Sequence, residues 1–81
     1  MSFQVIAFGV DGAVVQHFTT ARRGARVATM LAKVTGKADL VQRRPGGRPV
    51  QLMTCRRVQT GAAKCTLTLA GQVLLRDKKR Q

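Results

Sequence analysis

The side chains in this 81-residue sequence that are best suited to binding chemistry are cationic. Fifteen Lys and Arg stand against three Asp and no Glu, which gives a formal net charge of +12. Most of the cations are Arg, whose planar guanidinium matches the geometry of phosphate and carboxylate oxygens. Nine of them fall into three groups, on a predicted helix, at a predicted hairpin tip and in a predicted sheet: Arg22, Arg26 and Lys33; Arg43, Arg44 and Arg48; Arg56, Arg57 and Lys64.

This excess of positive charge indicates a polyanionic partner. A net charge of one sign opposes compaction through self-repulsion, which a bound polyanion would relieve. Acidic residues normally interrupt a basic face, and here almost none do so. We therefore expect a small basic nucleic-acid-binding or accessory protein whose nine grouped cations contact the phosphate backbone of DNA or structured RNA. Base stacking on a sheet is disfavoured, because no aromatic residue follows Phe18.

Catalytic and metal-binding chemistry has little support in the sequence. His17 is the single histidine, the three Asp are scattered along the chain, and Glu is absent. These residues do not assemble into a carboxylate pair, a nucleophile–base pair or a four-ligand zinc site. We expect no enzyme, no cofactor and no metal ion.

The two cysteines, Cys55 and Cys65, bear on the compartment of the protein. A disulfide is conceivable if they face each other across two strands, but directly opposed strand positions are wider than a disulfide prefers. Residues 1–20 lack the features of a signal peptide, and no run approaches the length of a membrane span. The sequence therefore favours a cytoplasmic protein with two reduced, buried thiols.

The elements that position these residues form one small α+β domain, which we place at 1–76, followed by a basic tail over 77–81. The predicted order is a β-hairpin, one amphipathic helix and an antiparallel β-meander, ββαββββ. Turn signals at short intervals separate the strands of the meander. Its four strand-like runs are 39–44, 49–58, 64–70 and 73–77.

The single helix is predicted over 21–35. Thr19 or Thr20 supplies the N-cap, and Gly36 is the residue that ends the helix. The helix is amphipathic, with an apolar stripe for the sheet and a basic outer row. The stripe is Val27, Ala28, Leu31, Ala32 and Val34, and the outer row is Arg22, Arg26, Thr29 and Lys33.

The hairpin between the fourth and fifth strands has a predictable register. A three-residue loop at 59–61 pairs Val58 with Ala62 and places Cys55 opposite Cys65. A slip by one residue would invert both faces. This register directs Met53, Cys55, Cys65, Leu67 and Leu69 inward, and Leu52, Thr54, Arg56, Lys64, Thr66 and Thr68 outward.

The tip sequence RRPGGRP, residues 43–49, resembles the core of an AT-hook through Arg48-Pro49, but Gly46 stands where that core has its first arginine. Together with the helix before it, the tip also resembles a winged helix. Residues 37–39 are too few to form the recognition helix that such a fold requires. Neither resemblance is adopted.

The first hairpin supports a rival function. Its runs at 3–9 and 13–19 flank Asp11-Gly12, a favoured turn dipeptide, and carry apolar residues on both faces. An uncovered apolar face would attract a partner. The rival is a protein–protein inhibitor or adaptor of a phage or mobile element, which docks on an acidic or nucleic-acid-binding surface of a host protein. A homodimer would cover the same face.

Overall fold

The computed structural model describes residues 2–9 and 12–76 as a five-stranded antiparallel sheet with two helices. The sheet order is β2-β1-β3-β4-β5, so that β2 and β5 are its edges. The predicted α+β class is confirmed, and the predicted tail over 77–81 lies outside the described residues. The elements in chain order are β1 (Ser2–Gly9), β2 (Gly12–Phe18), α1 (Ala21–Thr35), β3 (Lys37–Arg43), β4 (Val50–Arg57), β5 (Ala63–Leu67) and α2 (Leu69–Arg76).

The first two strands form the predicted hairpin. Gly9 pairs with Gly12, which belongs to β2 and has a φ of 118°. The predicted turn had assigned Gly12 to the loop instead. Val10 and Asp11, the other residues of that turn, lie outside the described residues.

Helix α1 has the predicted ends. Thr20 is extended, with φ of −128° and ψ of 144°, and its side chain accepts a hydrogen bond from the Arg23 N–H at 3.3 Å. This is N-cap geometry, which satisfies one of the free N–H groups of the first turn. At the other end Gly36 has a φ of 109°, and its N–H donates to the Ala32 carbonyl at 2.9 Å.

The residues that α1 buries against the sheet are smaller than predicted. Gly24, Ala28 and Ala32 face the sheet and are buried, whereas Val34 is 72% exposed. A Cβ at Gly24 would lie 2.6 Å from Leu40 Cδ1, so a larger residue here would require the buried Leu40 side chain to shift. The predicted stripe is wrong at Val34, because this residue lies about 200° around the helix axis from Ala32 and so points away from the sheet.

The sheet has one face covered by both helices and one open face. Strand alternation separates the two: on β1, Phe3, Val5 and Ala7 point to the helices and are buried, and Gln4 and Ile6 point the other way. In the described residues no helix packs on the second face, which we call the open face. The core on the covered face is Phe3, Val5, Ala7, Ala28, Ala32, Ala38, Leu40, Leu52, Met53 and Cys55.

A β-bulge at Leu52 changes the predicted sorting of β4. Leu40 pairs with Met53 and Val41 pairs with Gln51, so Leu52 is the extra residue of β4. Leu52 is fully buried, and the prediction that it faces outward is wrong. A bulge inserts one residue into a strand and shifts the alternation by one.

Helix α2 replaces the last predicted strand, at 73–77. Thr68 Oγ1 accepts a hydrogen bond from the Gly71 N–H at 3.1 Å and donates to the Gln51 carbonyl at 2.6 Å. It thus caps α2 and ties the start of the helix to β4. A Cβ at Gly71 would overlap the Leu52 carbonyl oxygen, so α2 lies directly on the bulge. Because β5 ends at Leu67 and α2 begins at Leu69, the alternation of the strand does not extend to Leu69. This residue was predicted to face inward and is 81% exposed.

The β4–β5 hairpin has the predicted register, with the Val58 N–H donating to the Ala62 carbonyl at 2.9 Å and Cys55 opposite Cys65. The prediction of two reduced thiols is wrong, because the two cysteines form a disulfide with their Cα atoms 4.0 Å apart. They occupy a non-hydrogen-bonded pair, the narrower of the two kinds of antiparallel pair. Since disulfides persist in oxidising compartments, this bond weighs against the cytoplasmic location, which stays a prediction.

Candidate functional site

Three cationic side chains stand side by side on the open face, and we call them the cationic row. Lys37 on β3 lies directly opposite Arg56 on β4, and Arg56 lies directly opposite Lys64 on β5. All three are exposed. Neighbouring strands are about 4.8 Å apart, and like charges directly opposite each other destabilise a sheet. The row is therefore an unfavourable arrangement for the free protein.

An aromatic ring ends the row on the β1 side. Phe8 pairs with Lys37, and the Lys37 Nζ lies 5.5 Å from the centre of the Phe8 ring. The ring face attracts the ammonium group through its quadrupole. Phe8 is 41% exposed, so the open face offers an apolar surface next to its first cation.

A shallow groove of about 500 Å³ runs beside the other end of the row. Arg56 and Lys64 line it together with two hydroxyl groups, those of Thr54 and Thr66, which face each other across β4 and β5. Gln51 Nε2 donates to Thr54 Oγ1, which leaves the hydroxyl proton of Thr54 free to donate. Two cations and two hydroxyls are a donor set that suits the oxygens of a phosphate.

Asp39 is the one acidic residue among the residues the structure describes. It lies on β3 between Ile6 and Thr54, two pairs along from the cationic row and on the same face of the sheet. Its Oδ1 is buried and has no hydrogen-bond partner. No ion pair joins Asp39 to a cation within residues 2–9 and 12–76, so the charges of the row are not compensated at contact distance.

The helix group of predicted site residues lies elsewhere. Arg22, Arg26 and Lys33 are exposed on α1, which covers the opposite face of the sheet from the cationic row. Thr29, predicted to stand in the same outer row, instead contacts the disulfide, with its Oγ1 3.4 Å from Cys65 Sγ. The helix group and the cationic row therefore cannot contact the same stretch of a rigid ligand.

The predicted hairpin tip is an exposed loop between β3 and β4. The Gly47 N–H donates to the Arg44 carbonyl at 3.2 Å, and Gly46 takes a φ of 69°, which glycine adopts readily. Arg43 is six residues after Lys37 on the same strand, so it shares the open face but lies about 20 Å away. Arg44 and Arg48 are exposed in the loop itself.

Arg57 has a structural role that the sequence did not indicate. Its Nη1 donates to the Lys33 carbonyl at 3.2 Å, and its backbone N–H donates to the Gly36 carbonyl at 2.9 Å. A cation at this place satisfies free carbonyls at the end of α1 and interacts favourably with the helix dipole. Of the predicted sheet group, only Arg56 and Lys64 face outward from the sheet.

Comparison with known proteins adds no assignment. No family model, curated protein or solved structure matches the chain. Neither helix in the described part of the chain is long and apolar enough to cross a bilayer. The same part holds no group of three His, Cys, Asp or Glu side chains placed to bind a metal ion. The candidate site is therefore defined by geometry alone.

Lys37 and Phe8 are the residues of this site that sequence reasoning missed. The third strand was predicted to begin at 39, which left Lys37 in a loop after Gly36. The signal that could have found it is the strand alternation, because Lys37 is two residues before Asp39 and therefore points to the same face of β3. Phe8 was not singled out by the sequence, although it alternates with the buried Ala7 on β1 and so falls on the open face.

Proposed function

We propose that the protein binds the phosphate backbone of nucleic acid through the open face of its sheet. The observation that carries the proposal is the cationic row, in which Lys37, Arg56 and Lys64 are directly opposed across three strands and no acid of residues 2–9 and 12–76 pairs with them. A phosphate that lies between these cations attracts all three of them and so offsets the repulsion among them. Each neutralised phosphate also releases counterions from the nucleic acid.

The composition of the open face supports contact with the backbone rather than with bases. Proteins that bind single strands on a sheet use several aromatic platforms for successive bases. Here Phe3 is buried on the covered face and Phe18 is half-buried there, and only Phe8 is on the open face, with Lys37 over its ring. We therefore favour duplex DNA or structured RNA, bound without sequence preference.

The other predicted cations have secondary places in this proposal. Arg43 shares the open face with the cationic row, and Arg44 and Arg48 extend it at the far end of β3. The helix group of Arg22, Arg26 and Lys33 faces away, so it contributes to the long-range field rather than to contacts with the same ligand.

Two charge-matched variants test the proposal. The triple change K37Q/R56Q/K64Q and the triple change R22Q/R26Q/K33Q each remove three positive charges from exposed positions. Fluorescence anisotropy with a labelled duplex at two salt concentrations measures affinity and its salt dependence for both. The slope of log K against log salt should fall by about 0.9 for each phosphate of B-DNA that the variant no longer neutralises, and only in the first variant. An equal drop in affinity for both variants, or a larger drop for the second, would contradict the proposal.

A protein partner is the second candidate, and the exposure of β2 favours it. Val14 and Val15 point to opposite faces of the sheet and are 50% and 48% exposed. An inhibitor or adaptor that docks on a host protein would cover such residues. Affinity capture from a nuclease-treated lysate separates the two candidates. A specific protein retained after nuclease treatment supports the adaptor, and loss of every partner with the nucleic acid supports nucleic-acid binding.

A further inference from the structure

Strand β2 is an edge strand that lacks the usual protections against pairing. Its residues Gly12 to His17 are all exposed, and the strand GAVVQHF contains no Lys, Arg, Asp, Glu or Pro. Natural edges are usually shortened, charged, interrupted by Pro or covered. The opposite edge, β5, follows that rule, because it has five residues, carries Lys64 and is followed directly by α2.

The hydrogen-bonding groups of β2 that point away from the sheet can be identified from the register. The Arg57 N–H donates to the Gly36 carbonyl, and backbone groups alternate between the two sides of each strand. When this alternation is followed from β4 through β3 and β1 to β2, the backbone groups of Val14 and Gln16 are the ones that form hydrogen bonds with β1. The N–H and C=O groups of the alternate residues then point outward, at Ala13, Val15 and His17.

We infer that this edge pairs antiparallel with β2 of a second copy of the chain, about a two-fold axis at Val15. In that register Val15 lies opposite Val15 of the second copy, and Ala13 lies opposite His17 in both directions. Each of these pairs is of the hydrogen-bonded kind, in which both N–H groups find a carbonyl. The two sheets join into one, and the apolar side chains of Val15 meet on the open face.

Charge and symmetry select a second copy as the occupant. An antiparallel pair of identical strands is self-complementary, so that one surface supplies both halves of the interface. In a chain with a net charge of +12, a strand without any charged residue is where two copies approach with least repulsion. The cationic row is set back from this edge, since Lys37 lies two strands away, on β3. The inference does not rest on the proposed function.

Cysteine cross-linking tests the register. Because Cys55 and Cys65 are bonded to each other, a third cysteine supplies the only free thiol of the three. V15C places two thiols opposite each other at the two-fold axis. Because a hydrogen-bonded pair is the wider kind, a short thiol-reactive linker, rather than oxidation, should join them into a covalent dimer. A13C should not form one alone, but should do so when mixed with H17C. Cross-linking of A13C as efficiently as V15C, or of neither V15C nor the mixture, would overturn the inference, and peptide mapping by mass spectrometry identifies the linked residues.

Light scattering over a concentration series tests the association itself. The unmodified chain should shift from monomer to dimer as concentration rises, because one strand pair makes a small interface. V15K places like charges against each other at the axis and should remain monomeric. V73K makes the same change at an exposed valine of α2, away from β2 and from the open face, and should behave like the unmodified chain. A chain that stays monomeric at every soluble concentration overturns the inference. The β2 edge would then be available for pairing with a strand of another protein.

Discussion

The two faces of the sheet are built on opposite principles. On the covered face Ala28, Ala32 and Leu40 are fully buried, and the burial of their apolar surface stabilises the fold. On the open face three cations are directly opposed, with repulsion among them. The contrast teaches that the core on the covered face stabilises the fold whereas the cationic row opposes it slightly, so substitutions in the core and in the row should change stability in opposite directions.

The largest effect is expected from the covered face. Leu40→Ala removes a fully buried side chain that touches Gly24 of α1 and should cost about 2–5 kcal/mol in the free energy of unfolding. Val41, the next residue of β3, is half-buried on the open face, and Val41→Ala should cost about 1 kcal/mol or less. Chemical denaturation of both variants measures the two costs. Equal costs would mean that the faces do not differ as described.

The disulfide should contribute a somewhat smaller amount. It closes a loop with a sequence separation of 10 between Cys55 and Cys65, for which loop-closure entropy gives about 2–3 kcal/mol. Reductant should therefore lower the thermal transition of the unmodified chain. A C55A/C65A variant should be insensitive to reductant and already destabilised. Transitions of the unmodified chain that are identical with and without reductant would contradict a bonded pair.

The smallest change in stability is expected from two adjacent arginines of β4, one in the cationic row and one that caps α1. Arg56 has like-charged neighbours on both sides, so Arg56→Gln should raise the free energy of unfolding by a few tenths of a kcal/mol while it weakens binding to nucleic acid. Arg57→Gln is the matched control, because it removes the same charge from the adjacent residue together with the bond to the Lys33 carbonyl. It should lower stability by about 0.5–1.5 kcal/mol. If Arg56→Gln lowered the stability as much as Arg57→Gln does, the claim that the cations of the row repel one another would be contradicted.

Local signals in the sequence predicted much of the fold. Thr20 and Gly36 mark the ends of α1 because capping chemistry acts within one helical turn. The register that places Cys55 opposite Cys65 followed from a three-residue loop for the same local reason, although the disulfide between them was not predicted. Leu52 and α2 were beyond such reasoning, since the bulge and the helix that lies on it determine each other through tertiary contact.

The candidate site was predicted only in part. Arg56 and Lys64 were placed on the outward face, because the register of one hairpin includes both. Lys37 lies before the predicted start of the third strand, and its place opposite Arg56 depends on the bulge at Leu52, which shifts the register of β3 against β4 and is determined by tertiary contact. Arg57 was grouped with them because charge alone does not distinguish a binding residue from one that caps a helix.

Mapping of backbone amide chemical shifts during titration with a short duplex tests the central claim most directly. The account predicts that the largest changes fall on the open face, at Lys37, Arg56, Lys64 and Thr66, and that they weaken together as salt rises. The outer residues of α1, including Arg22 and Arg26, should change little. Changes concentrated on α1, with the open face unperturbed, would contradict the assignment of binding to this surface.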